Sequence, residues 1–173
     1  VELGVCRSEA DYMNLGFFSR VELTRPLFTL KIATTLDGKI ATQSGESQWI
    51  TGEMARRAAH RLRASHDAVM IGSGTALADD PLLTCRLPGI SNERRQRIVL
   101  DGRLRLPIES KLVATAQNVP VTIFTLPGDK TKQERINLLE NHGLTVHVAH
   151  QDSAQLNLTR VAEELAQTGL TRV

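Results

Sequence analysis

Short runs of apolar residues divide the chain into predicted strands. Between Leu27 and Ala33, apolar residues alternate with Thr29 and Lys31, which is the period of a β-strand. Other apolar runs are short and flanked by turn residues, which is typical of buried strands. These predicted strands lie at 68–71, 96–101, 121–126 and 144–149, with an extended segment at 82–87 and the start of a strand at 170–173.

Segments with helical periodicity lie between these strands. Met54, Ala58 and Leu62 form an apolar stripe along one of them. The alternation of strands and helices predicts an α/β fold with a mostly parallel sheet and helices on both faces, which binds ligands beyond the carboxyl ends of its strands. The predicted helices run from Ser8 to Phe18 with Met13 and Phe17 on one face, from Thr51 to about Ser65, from a Thr131–Glu134 capping box to Gly143, and from about Leu158 to Gly169.

The composition is that of one soluble domain. The chain has 173 residues, 41% of them apolar, and a formal net charge of +2. Arginines gather between Arg56 and Arg105, a bias that suits an anionic small molecule, whereas the scarcity of aromatic residues argues against a nucleic acid. We find neither a membrane span nor a signal peptide. Cys6 and Cys85 form no disulfide framework, so we expect a cytoplasmic protein in which both are small buried side chains.

Two loop-rich segments offer candidate chemistry. Gly72-Ser73-Gly74-Thr75 follows a strand and either lets the backbone approach a phosphate or forms a plain tight turn; it is not a dinucleotide fingerprint, because Leu77 stands at the third glycine position. Asp79 and Asp80 precede a proline, and adjacent acids point in different directions, so at most one of them is expected to face a ligand.

Single residues leave alternatives open. Arg63 and Arg86 either bind an anion through their guanidinium groups or lie solvated on the surface. Trp49 either packs on a planar ring or fills the core, and composition alone favours the core. The five histidines lack the spacing of a metal site, so we expect no metal and interpret all five as surface residues.

Several segments, in order and without gaps, resemble the reductase domain of the bifunctional riboflavin deaminase-reductases. The resemblance covers about Arg25 to Leu87 and is carried by Thr29-Leu-Lys-Ile-Ala33-Thr-Thr-Leu-Asp37-Gly38, Gly45-Glu-Ser47-Gln-Trp49-Ile-Thr51, His60-Arg-Leu-Arg63 and Gly74-Thr75-Ala-Leu-Ala-Asp79-Asp80-Pro81-Leu-Leu83-Thr-Cys-Arg86. It implies a dihydrofolate-reductase-like fold. It also implies NADPH-dependent reduction of 5-amino-6-(5-phosphoribosylamino)uracil to the ribitylamino product, in which an imine carbon of the opened sugar accepts the hydride.

The resemblance also implies roles for single residues. The expected cofactor contacts are Ala33, Trp49, Thr75, Asp79 and Gly102, and the expected substrate contacts are Ser47, Arg63, Leu83 and Arg86. Gly102 stands where the family often has serine, so its contact is either through the backbone or absent. No residue is identified as a proton donor; water or a substrate group is the alternative. We expect a homo-oligomer that acts on a phosphorylated pyrimidine sugar-amine, with neither nucleic acid nor membrane as a partner.

The same resemblance divides the chain. We expect residues 1–24 to be the tail of a zinc-dependent deaminase domain and a linker, with the zinc bound in the absent part. Residues 25–173 would be a reductase domain that lacks its C-terminal end and is therefore expected to be poorly stable and nearly inactive. Two other functions remain open: a binding module without turnover, and a reductase of a pterin-like, unphosphorylated substrate. The second gives Arg63 and Arg86 little to pair with.

Overall fold

The computed structural model describes residues 3–93, 95–149 and 155–173. At its centre is a four-stranded parallel sheet with the spatial order β1-β2-β3-β4, so strands that follow each other in the chain also pair. Its strands are β1 (Ala68–Gly72), β2 (Gln96–Leu100), β3 (Val121–Thr125) and β4 (Thr145–Val148). The predicted parallel sheet is confirmed, and each predicted strand end lies within one or two residues of the observed one.

Helices cover both faces of this sheet, as the alternating pattern predicts. Ile98 and Phe124 pack with Leu165 on one face, while Val99 and Ile123 belong to the cluster on the other. Among the described residues, no helix is long and apolar enough to cross a membrane. The helices are α1 (Arg7–Leu23), α2 (Glu53–Ser65), α3 (Ser73–Asp79), α4 (Lys111–Ala114), α5 (Lys130–Asn141) and α6 (Leu158–Gln167).

The last residues of the chain extend the sheet beside β1. The backbone of 171–173 pairs in parallel with Leu27 and Thr29 on one side, through hydrogen bonds of 2.8–2.9 Å. On the other side, the Arg172 carbonyl accepts from the Asp67 amide at 3.0 Å. The predicted strand start at 170–173 is therefore confirmed. Within the described residues, the predicted strand over 27–33 pairs only at Leu27 and Thr29.

The side chain of Asp67 holds this arrangement together. Its Oδ2 accepts hydrogen bonds from the Thr171 amide (2.7 Å), the Thr171 hydroxyl (2.8 Å) and the Arg172 amide (3.0 Å). Burial alone would raise the pKa of Asp67, but these hydrogen bonds hold it below its usual value. One carboxylate thus joins the start of β1 to residues 104 positions later in the chain.

Helix α1 packs against the same C-terminal residues. Arg172 donates to the carbonyl of Tyr12 at 2.9 Å, and Arg20 donates to that of Ala166 at 2.8 Å. A Cβ on Gly16 would lie 2.8 Å from the Thr171 carbonyl, so only glycine permits this approach. Met13 and Phe17 are 76% and 53% exposed, so the predicted apolar face of α1 does not face the core. That residues 1–24 end another domain stays a prediction.

Two of the clustered arginines are structural. Arg97 is 1% exposed, and its guanidinium donates to the carbonyls of Leu82, Thr115 and Val119 and to the Thr115 hydroxyl. Burial lowers the pKa of Arg97 to about 10. Arg95 donates to the carbonyls of Arg63 and Ala64 at the end of α2. The predicted use of this cluster for an anionic ligand is therefore wrong for these two residues.

Several predicted boundaries are corrected by the groups that cap the helices. Gly52, and not Thr51, precedes α2. Asp129 caps α5 by accepting from the Lys132 amide at 3.0 Å, so the predicted capping box at Thr131 begins two residues too late. Gly72-Ser73-Gly74-Thr75 is not a plain tight turn, because Gly72 ends β1 and Ser73 already begins α3. That its backbone approaches a phosphate stays a prediction.

We expect Asp67→Ala to lower the free energy of unfolding by about 2–3 kcal/mol at neutral pH, because it removes hydrogen bonds to a charged acceptor. The pKa of Asp67 is lower in the folded state, so its contribution is full above the unfolded pKa and disappears as the pH falls through the folded pKa. Urea unfolding at about pH 7 and about pH 3 measures both effects.

The matched control is Asp11→Ala on α1, where the carboxylate pairs only with Arg7 on the surface. This control should change the unfolding free energy by less than about 1 kcal/mol. Equal stability of the Asp67 and Asp11 variants at neutral pH would show that the carboxylate of Asp67 does not hold the C-terminal segment.

Candidate active site

A groove of about 550 Å³ opens between the extended segment 28–31 and β1, with Val173 among its lining residues. The Thr29 amide donates to the Val173 carbonyl, and both residues line the groove. The groove therefore lies next to the C-terminal segment, beside β1. Helix α2 flanks it with Leu62, Arg63 and His66. The apolar stripe predicted on α2 is not buried: Met54 is 86% and Leu62 39% exposed.

Three predicted site residues reach the groove from α3 and the segment after it. Thr75 and Asp79 lie four residues apart on α3, hence on one face, and both line the groove together with Leu83. Asp80 instead accepts from the Lys111 amide at 2.8 Å. The prediction that only one of the two acids faces the ligand site is therefore consistent with this geometry. Leu83 has a φ of 56°, a left-handed conformation that a branched side chain rarely adopts.

Both predicted anion-binding arginines contact one histidine. The guanidinium of Arg63 donates to Nδ1 of His60 at 3.3 Å, and the Arg86 amide donates to the same nitrogen at 3.2 Å. Arg63 is half-buried in the groove, whereas the side chain of Arg86 is exposed and is not among the residues that line the groove. Burial, and then the neighbouring charge of Arg86, lower the pKa of Arg63. An anion placed here would relieve that repulsion.

The other predicted contacts lie outside the groove. Ser47 is exposed, and Ala33 is half-buried two residues beyond the groove-lining Lys31. Trp49 is 71% exposed, and the guanidinium of Arg56 stacks over its ring at 4.5 Å. The core position that composition favours for Trp49 is therefore wrong, and its ring is available on the surface.

Gly102 lies at the carboxyl end of β2, where charged groups gather. Its carbonyl accepts from the Lys132 ammonium at 2.8 Å, and it does not line the groove. The neighbouring Asp101 is fully buried, and its Oδ2 accepts from the amides of Arg105 and Leu106. The guanidinium of Arg105 donates to the Ser73 hydroxyl at 2.7 Å, so one cation bridges the ends of β1 and β2.

The sequence did not identify His60 or Arg105 as parts of the site. A signal existed for His60, since it precedes Arg63 by three residues and shares its helix face. Of the histidines interpreted as surface residues, His142 is exposed, whereas His60, His66 and His147 are half-buried. His147 stacks on Phe124 at 5.1 Å, and His150 lies outside the described residues. Cys85 is buried as predicted, but Cys6 is exposed. Within the described ranges, no three His, Cys, Asp or Glu residues form a metal-binding group.

These features define an α/β domain with a largely apolar groove, containing Lys31, Arg63 and Asp79, at the edge of a parallel sheet. The family model for the RibD C-terminal domain matches residues 26–173, and the chain belongs to that family. The riboflavin biosynthesis protein RibD of Actinobacillus pleuropneumoniae is 38% identical over 95% of this chain and 42% of its own length. That of Bacillus amyloliquefaciens is 38% identical over 100% of the chain and 45% of its own length.

Solved structures agree with this membership. Acinetobacter baumannii RibD superimposes with a TM-score of 0.81 and 32% identity, over all of this chain and 46% of that one. The Saccharomyces cerevisiae riboflavin biosynthesis reductase Rib7 shares the fold, with a TM-score of 0.60, 18% identity and coverage of 95% and 70%. The predicted dihydrofolate-reductase-like fold is thereby confirmed. The chain spans a little under half the length of the RibD relatives named above.

Because Trp49 is exposed, Trp49→Ala should change the free energy of unfolding by no more than about 1 kcal/mol, the value of its contact with Arg56. A tryptophan in the core would instead cost about 3–5 kcal/mol. Thermal and urea unfolding of this single variant decide between them. A loss in the larger range would contradict the surface position of the ring.

Proposed function

We propose that this domain uses NADPH to reduce 5-amino-6-(5-phosphoribosylamino)uracil to its ribitylamino product. The family membership supports a reductase of riboflavin biosynthesis with a nicotinamide cofactor. A relative from Thermotoga maritima, 28% identical with a TM-score of 0.78, is described as a diaminohydroxyphosphoribosylaminopyrimidine deaminase and 5-amino-6-(5-phosphoribosylamino)uracil reductase. The choice of this substrate and of NADPH is our inference for the present chain.

The observation that carries the proposal is the pair Arg63 and Arg86. Within the described part of the chain, no carboxylate lies within 4.0 Å of either guanidinium. The ion pairs in that part involve other residues. His60 binds the guanidinium of Arg63 and only the backbone amide of Arg86, so the charge of both side chains is left to an external anion. A sugar phosphate supplies that anion, and an unphosphorylated pterin does not.

The carboxyl edge of β1 and β2 suits the phosphates of the cofactor. Arg105 and Ser73 offer a guanidinium and a hydroxyl at adjacent strand ends, joined at 2.7 Å. Among the described residues, the buried Oδ1 of Asp101 has no hydrogen-bond partner and lies 3.8 Å from Nε of Arg105. This ion pair without a hydrogen bond holds Arg105 near the edge and leaves its guanidinium able to bind a phosphate. Cationic and hydroxyl donors at such an edge are the groups that bind dinucleotide phosphates.

These positions assign each residue to the cofactor or to the substrate. The nicotinamide, when bound, supplies the hydride. Thr75 and Asp79 contact the cofactor from one face of α3, while Arg63 and Arg86 bind the phosphate and so fix the opposite end of the substrate. Leu83, which lies between Asp79 and Arg86 in the chain, contacts the substrate. We further propose that Trp49, Ala33 and the backbone of Gly102 complete the cofactor site and Ser47 the substrate site, as the resemblance implies.

The direct test follows NADPH oxidation at 340 nm with the phosphorylated substrate and with its dephosphorylated form. We expect kcat/KM to be at least about tenfold higher with the first than with the second, since a charge-assisted hydrogen bond contributes about 1.5–3 kcal/mol. Equal turnover of both would favour a reductase of unphosphorylated substrates. Binding of both ligands without turnover would favour a binding module.

Arg63→Ala should raise KM for the substrate by about tenfold or more and leave the Kd of NADPH within about twofold. The reason is that Arg63 contacts the phosphate and not the cofactor. Steady-state kinetics and a fluorescence titration with NADPH measure the two effects. If both constants shift equally, or neither does, Arg63 is a structural residue.

Arg105→Ala should weaken NADPH binding by about tenfold and leave the affinity for ribose 5-phosphate unchanged, because its guanidinium lies at the edge assigned to the cofactor. Equilibrium titrations measure both ligands without any turnover. Arg7→Ala on α1 is the control, and it should alter neither affinity. Unchanged NADPH binding by the Arg105 variant would remove this edge from the cofactor site.

A further inference from the structure

His60 joins two parts of the chain that approach the groove from different sides. Its Nδ1 accepts from the Arg63 guanidinium within α2 and from the Arg86 amide in the segment after α3. Its backbone carbonyl accepts from the Cys85 thiol at 3.3 Å. Both predicted phosphate ligands therefore take their position from one residue that has no assigned role.

The partners of His60 fix its protonation. A guanidinium and a backbone amide are donors only, so Nδ1 must offer a lone pair and the proton of the neutral ring lies on Nε2. Burial, then the charges of Arg63 and Arg86, lower the pKa of His60 and favour this neutral form. The titratable groups around the ring are Arg63 on its own helix and Cys85 and Arg86 on the facing segment.

An uncharged acceptor at this point has a specific consequence. An aspartate or glutamate in place of His60 would pair with the arginines and compete with an incoming anion. A neutral imidazole instead orients the donors and leaves their positive charge intact. The arrangement therefore holds the guanidinium of Arg63 and the backbone of Arg86 in place before the anion arrives.

We propose that His60 is a positioning residue that orients Arg63 and Arg86 for the phosphate of the substrate. This inference rests on the proposed function, because it takes the substrate to be a phosphorylated sugar derivative. It adds a residue that touches neither the cofactor nor the reacting carbon and acts through the two arginines. The lone pair on Nδ1 is the feature on which this role depends.

Two substitutions separate the lone pair from the size of the side chain. In His60→Asn, the amide oxygen can occupy the position of Nδ1, so the acceptor is kept. In His60→Gln, the amide lies one bond further out, near the position of Nε2, so the acceptor is lost while a polar side chain remains. His142→Asn on α5 is the matched control, because His142 is exposed and bonds only the Leu138 carbonyl.

The experiment titrates each variant with ribose 5-phosphate and, separately, with NADPH. We expect His60→Gln to lose about tenfold or more in affinity for ribose 5-phosphate, and His60→Asn and His142→Asn to stay within about threefold of wild type. NADPH affinity should be unchanged in all three. Equal losses in the Asn and Gln variants, or no loss in either, would overturn the proposal, as would a wild-type protein that does not bind ribose 5-phosphate.

Nitrogen-15 NMR of the wild-type imidazole gives a readout independent of folding changes in the variants. Shifts typical of an unprotonated Nδ1 and a protonated Nε2 support the assignment, and the opposite tautomer overturns it. If only the proposed function is wrong, the result differs. Ribose 5-phosphate binding would still depend on the Nδ1 acceptor, but the aminopyrimidine would not be reduced.

Discussion

The site depends on the position of β1, and the carboxylate of Asp67 fixes where β1 begins. Three donors from Thr171 and Arg172 converge on one oxygen of Asp67, while the adjacent backbone amide bonds the Arg172 carbonyl. A hydrogen-bonded charge at this place aligns the C-terminal segment between residues 27–29 and β1. The groove lies along the same line, so its two walls are set by this one anchor.

A second constraint is the distribution of positive charge. Three arginines of the stretch from Arg56 to Arg105 have three different environments: Arg97 is buried among carbonyls, Arg95 binds the end of α2, and Arg63 faces the groove. The first two donate mainly to backbone carbonyls within the fold, which holds their guanidinium groups away from the groove. Arg63 retains its charge because its contact in the groove is a neutral imidazole, which is why this residue and not its neighbours is suited to an anion.

The sequence predicted the sheet well because buried strands can be recognised locally, as short apolar runs flanked by turn residues. It located helix starts less well, since Gly52 and Asp129 cap helices whose first turns contain other plausible caps. The resemblance singled out Arg63, Thr75, Asp79 and Leu83, and the fold brings these four to one groove. Arg105 was missed because its partner Ser73 lies 32 residues away, which no local pattern reveals. For His60, the spacing to Arg63 was a local signal, but its bond to Arg86, 26 residues away, was not.

The central claim is that the groove beside β1 binds a sugar phosphate between Arg63 and Arg86 while the cofactor lies at the carboxyl edge of β1 and β2. A crystal structure of the protein with NADPH and the phosphorylated aminopyrimidine tests it most directly. The account predicts phosphate oxygens within hydrogen-bond distance of both guanidinium groups and the nicotinamide next to Thr75 and Asp79. A phosphate bound elsewhere, with Arg63 still contacting only His60, would contradict it.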